Sequence, residues 1–94
     1  MITVKVREDG ISMSGHANSV KQGRDPVCAA VSALTCNLVN SLDALTDIKI
    51  RAETESGRFE IGWDRRTKES CLLIDSWFLG LTAINEEFNC ITFV

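Results

Sequence analysis

The chain has 94 residues, a formal net charge of −3, 45% hydrophobic and 24% charged residues. That is enough chain for one small domain with a modest core, and we expect residues 1–94 to form a single domain. The only basic cluster is Arg65, Arg66 and Lys68, so the electrostatic footprint of a nucleic-acid binder is absent and no direct nucleic-acid partner is expected.

Four cysteines are present, Cys28, Cys36, Cys71 and Cys90, with one histidine, His16. No C-x-x-C pair occurs, and His16 stands twelve residues before the nearest cysteine. Zinc-ligand spacing is therefore lacking, and neither metal nor cofactor is expected. The N-terminal stretch has no signal-peptide shape, and no apolar run is read as approaching the roughly 20 residues of a membrane span. These features predict a cytoplasmic protein with free thiols and no membrane partner.

In chain order, Ile2, Val4 and Val6 alternate with Thr3, Lys5 and Arg7, the pattern of a half-buried strand. Asp9-Gly10 is a hairpin signal, and Ile11 and Met13 carry the alternation into a second strand ending at Gly15. A polar loop follows. Asp25 suits an N-cap and Pro26 the first helical position. The helix is expected to reach about Leu45, with Val27, Ala30, Val31, Leu34, Leu38, Leu42 and Leu45 as its buried stripe. Cys28, Ser32 and Thr35 lie beside that stripe.

Residues 47–54 alternate again, Glu55-Ser56-Gly57 reads as a turn, and Phe59, Ile61 and Trp63 face one way in the answering strand. Thr67 or Asp64 caps a second helix running to about Glu87, with Leu73, Trp77, Leu81, Ile84 and Phe88 in one stripe and Ile74 and Phe78 beside it. Residues 90–94 are β-prone. The order β-β-α-β-β-α-β predicts an α+β fold, a largely antiparallel sheet with two helices packed on one face.

The chemistry is concentrated in residues 14–36. A cysteine attacks as thiolate, and an ordinary thiol titrates at about 8.5. Cys28 is placed in the first turn of a helix, where unpaired N–H groups and the dipole favour negative charge. His16, at a strand end, is a candidate general base for its thiol proton and a donor to a leaving amine. The Cys28 N–H is a candidate oxyanion donor. Asp25 has two readings, a helix cap or a third member orienting His16, and the cap is favoured. Ser32, one turn beyond Cys28, either bonds within the site or back to the Cys28 carbonyl. Beside all this stands a plainer reading, in which Cys28 is a small core residue and His16 an ordinary surface group. Cys36, Cys71 and Cys90 read as packing residues, and Arg65, Arg66 and Lys68 as a solvated helix entry.

Gly15-His16-Ala17, then Gly23-x-Asp25, then Val27-Cys28-Ala29-Ala30-Val31-Ser32-Ala33-Leu34 resembles the signature of the bacterial ribosomal-processing cysteine protease family, often called Prp. Both hairpins and the late helix from Leu79-Gly80-Leu81 to Phe88 fit the same layout. The resemblance implies a cysteine endopeptidase that removes the N-terminal extension of large-subunit ribosomal protein twenty-seven. It puts the nucleophile on Cys28, the general base on His16, and supporting or substrate-binding positions on Gly15, Asp25 and Ser32. It also implies a gate loop over residues 17–24, including Ala17 and Gly23, and a homodimer. Pro26, where an aliphatic residue is usual, and Lys21-Gln22 in the loop depart from the family pattern. The alternative function is a non-catalytic module that binds the ribosome or an assembly protein. A redox-sensing thiol is disfavoured, because Cys36 lies about two turns, roughly 12 Å, from Cys28 along one helix.

Overall fold

The computed structural model describes residues 1–16, 25–55 and 57–94. Its elements are β1 (Ile2–Arg7), β2 (Gly10–Gly15), α1 (Pro26–Leu45), β3 (Ile50–Glu55), β4 (Arg58–Trp63), α2 (Lys68–Phe88) and β5 (Ile91–Phe93). The order is the expected one. The sheet runs β3-β4-β2-β1-β5. Its neighbours are antiparallel except β1 and β5, which pair in parallel through Ile2 with Ile91 and Val4 with Phe93.

Register explains the core. Val4 faces Met13, which faces Phe59, and Val6 faces Ile11, which faces Ile61. Because side chains alternate across a strand, these positions share one face of the sheet. The helices cover that face. The other carries Lys5, Arg7, Ser12 and Glu60, where Arg7 bonds Ser12 and reaches Glu60 at 3.4 Å.

In α1 the buried positions are Val27, Val31, Thr35, Leu38 and Leu42. Steps of four, four, three and four keep one stripe on the sheet. Ala30 is rotated off this stripe and is exposed. Leu45 is also exposed, at 67%. The helix ends at Leu45, and the hydroxyl of the C-cap Thr46 donates to the Leu42 carbonyl at 2.5 Å. Ile48, although it precedes β3, is buried in the core. β3 thus begins at Ile50, three residues later than expected. Contrary to expectation, the 20 residues of α1 are apolar enough to span a membrane by length and composition alone. Their buried stripe is the one packed against the sheet.

Thr67, not Asp64, caps α2. Its hydroxyl accepts from the Ser70 N–H at 3.1 Å, and the Ser70 hydroxyl accepts from the Thr67 N–H at 2.8 Å. Asp64 instead accepts from the Lys49 N–H at 2.9 Å. Ile74, Trp77 and Leu81 carry the buried face of α2, while Phe88 is half exposed and Phe78 leans outward to meet Phe93 at 4.9 Å between ring centroids. A Cβ on Gly80 would stand 2.9 Å from Leu34 Cδ1, so that glycine sets the close approach of the two helices.

The basic helix entry is more than a solvated surface. Arg66 donates to the carbonyls of Glu8 (2.8 Å) and Arg7 (2.6 Å) and lies 5.6 Å from the Trp63 ring centroid. Arg65 pairs with Asp47 at 2.8 Å. Trp63 Nε1 donates to the same Glu8 carbonyl at 2.6 Å. The Arg66 and Trp63 contacts tie the β1–β2 turn to the end of β4 and the segment leading into α2.

Candidate active site

The site forms where β2 ends and α1 begins. Gly15 has φ of +98°, a region L side chains rarely adopt, and the Met1 carbonyl lies where its Cβ would stand. Only glycine is relaxed there. Its N–H donates to the Gly57 carbonyl at 2.8 Å, which fixes the end of β2 to the β3–β4 turn. His16 follows at once and is exposed.

On the facing side, Asp25 is the N-cap of α1. One carboxylate oxygen, Oδ1, accepts from the N–H of Val27 at 2.9 Å and of Cys28 at 3.3 Å. Its backbone carbonyl accepts from the Ala29 N–H at 3.0 Å. Pro26 has no N–H to satisfy, so the cap holds the next three amides. This bears directly on the expected oxyanion donor. The Cys28 N–H is engaged by Asp25, through the longer of the two carboxylate bonds, and must exchange that partner to meet an oxyanion.

His16 and Cys28 line one groove of about 370 Å³. Gly15 and Ser32 line it as well. Ser32 is exposed, one turn beyond half-buried Cys28. Asp25 serves as the N-cap. Ala17 and Gly23, the expected gate-loop positions, lie outside the described residues.

The sequence reading missed part of this groove. Thr54, Glu55, Gly57, Arg58 and Phe59 line it from the β3–β4 hairpin, and Met13, Thr35 and Cys36 from beneath and beside. Met13 and Phe59 were legible as inward residues of neighbouring strands, but the pairing of β2 with β4 that brings them together was not. Cys36, expected to pack, is exposed in the groove wall. It follows Cys28 and Ser32 by regular steps of four, a signal that was present in the chain. Cys71 is half-buried and Cys90 buried. Burial pushes the Cys90 thiol above its ordinary 9.0, with the negative charge of Asp25 adding to it. Thr35 is 3% exposed. Its hydroxyl donates to the Val31 carbonyl at 2.7 Å and accepts from Trp77 Nε1 at 3.1 Å, with Met13 Sδ 3.7 Å away. It is a buried polar pin joining α1 to α2 under the groove.

Two crystal structures of the ribosomal processing protease Prp from Staphylococcus aureus share this fold. One, with a covalently linked product peptide, superposes with a TM-score of 0.86 at 31% identity, over 99% of this chain and 97% of that one. The other, with a substrate peptide, gives 0.83 at 30%, over 100% and 98%. The ribosomal processing cysteine protease Prp of S. aureus strain Mu50 is 34% identical over 98 aligned positions, covering 95% of this chain and 92% of the relative. Fold and sequence thus define the class, a cysteine protease. More narrowly, the family model described as cysteine protease Prp matches residues 1–91, and the chain belongs to that family.

Proposed function

We propose that the protein is an endopeptidase that removes the N-terminal extension of large-subunit ribosomal protein twenty-seven, with Cys28 as nucleophile and His16 as general base and acid. The observation that carries this reading is the single groove lined by both residues, one at a helix start and one at a strand end. Likeness to S. aureus ribosomal processing proteases crystallised with peptides supports the substrate class.

The chemistry runs in two halves. His16 takes the Cys28 thiol proton as sulfur attacks the scissile carbonyl carbon. The tetrahedral oxyanion draws on backbone N–H groups, and the Cys28 N–H joins them once it leaves Asp25. Collapse breaks the C–N bond, His16 protonates the departing amine, and a thioester remains. Water then attacks the thioester while His16 takes its proton. The thiolate leaves, recovers that proton, and the new carboxylate is released. Asp25 supports the site by holding the first turn of α1, and Gly15 by ending β2 so that His16 enters the groove. Residues 17–24 serve as the gate, and the enzyme works in the cytoplasm as a homodimer.

Incubation with a peptide spanning that N-terminal extension, read by mass spectrometry, tests the proposal. Wild-type protein should release the extension at one bond, and Cys28→Ala should release none while melting normally. Undiminished cleavage by Cys28→Ala would overturn it. A folded wild type that binds the peptide without cutting would favour the non-catalytic module.

A further inference from the structure

The geometry points to Gly57 as a positioning residue for His16, an inference that rests on the Cys28/His16 reading above. Gly57 sits in the turn between β3 and β4, forty-one positions along the chain from His16, and lines the same groove. Two features join it to the imidazole. Its carbonyl accepts the N–H of Gly15, the residue immediately before His16, at 2.8 Å. A side chain there would also collide with the ring. A Cβ on Gly57 would stand 2.7 Å from His16 Nε2, 3.3 Å from Cε1 and 3.5 Å from Cδ2.

Real Cβ atoms essentially never approach a heavy atom as closely as that first distance, so a methyl group here would force the ring to move. The atom most displaced is a ring nitrogen, the kind of atom that exchanges the proton in general acid–base catalysis. The absent side chain of Gly57 therefore sets how far the imidazole reaches across the groove, while its carbonyl holds the strand end from which the imidazole springs. The β3–β4 hairpin supplies one wall of the groove and also the stop against which the base rests. Such placement matters because a misplacement of about 1 Å can lower a rate by roughly 10²-fold.

Gly57 has φ of +73°, so substitution also strains the turn. Two variants separate the effects. Gly57→Ala brings both strain and the methyl. Gly57→Asn brings the methyl-equivalent carbon, but asparagine tolerates the left-handed region far better. The measurements are thermal melting, the rate of Cys28 alkylation by iodoacetamide from pH 5 to 9 (resolved from the other cysteines by peptide mapping), and cleavage kinetics on the extension peptide.

Both variants should lower kcat about tenfold or more with KM changed less than threefold. Both should slow Cys28 alkylation at pH 7 and displace its pH profile, while Gly57→Asn melts close to wild type. Wild-type kcat and alkylation in Gly57→Asn would overturn the inference and leave Gly57 as a turn residue only. Cys28→Ala, run alongside, keeps the two levels apart. Retained cleavage there overturns the Cys28/His16 reading itself, whereas an inactive Cys28→Ala beside a fully active Gly57→Asn removes only the role of Gly57.

Discussion

Replacing Thr35 by valine should destabilise the fold out of proportion to the atoms changed. The two side chains are nearly the same shape, so the apolar packing of this buried position survives. What is lost is the acceptor for Trp77 Nε1–H, bonded at 3.1 Å to a hydroxyl whose residue is 3% exposed, on a tryptophan that is itself 3% exposed. The Val31 carbonyl loses little, because it keeps its place in the helix ladder. A buried donor left without a partner costs about 1–3 kcal/mol. In a domain of this size each kcal/mol lowers Tm by about 4–8 °C, so a fall of roughly 5–20 °C is expected. Thermal melts of Thr35→Val, Trp77→Phe and the double variant form the assay. Trp77→Phe removes the donor, so Thr35→Val in that background should cost about 1 kcal/mol less than in the wild type. Equal costs in the two backgrounds would refute the claim that this bond holds α1 to α2. Thr35→Ser, which keeps the oxygen, should fall between wild type and Thr35→Val.

Three further outcomes follow from the same fold. Asp25→Ala removes the acceptor of the Val27 and Cys28 amides and should cost about 1 kcal/mol in a denaturant melt, while Asp25→Asn, an equally good cap, should cost far less. Asp64 is held below its ordinary 3.8, first by the bond from the Lys49 N–H, with the Arg65 charge assisting, so the fold binds that proton more weakly than the unfolded chain does. Its stabilisation is present above about pH 4 and is lost as pH falls through the folded value; Asp64→Asn should therefore flatten the Tm–pH curve on the acid side. Exposed Cys36 should alkylate quickly in the native protein, and buried Cys90, whose thiol burial holds protonated, should react last, by peptide mapping over time.

The sequence carried the elements well because their signals are local. Alternation in residues 2–7, the Asp9-Gly10 turn and the Asp25-Pro26 helix start depend on neighbours along the chain, and each stands where the pattern puts it. Thr35 shows where locality fails. A threonine beside an apolar stripe reads as half-exposed, and only the position of Trp77 on another helix makes it a buried pin. Leu45 fails for the converse reason, since its helical phase is right but it is the last residue of the helix, with Thr46 as C-cap, and is exposed there.

The site divides along the same line. His16 and Cys28 were legible as candidates that could meet, one at a strand end and the other at a capped helix start, and they line one groove; the Gly-His-Ala and Val-Cys-Ala-Ala-Val-Ser runs carried the family resemblance. What surrounds them was not legible, because it arrives through the sheet. β2 pairs with β4, and that long-range register places Phe59 opposite Met13 and the β3–β4 hairpin beside the groove. Gly57 shows the consequence. Along the chain it is an ordinary turn glycine, and its φ of +73° would be explained by the turn alone. Only the pairing that sets its carbonyl against Gly15 and its bare α-carbon against His16 gives it a second reason to be glycine. A conformational requirement and a steric one then fall on the same residue. They predict different tolerances, for asparagine satisfies the first and violates the second.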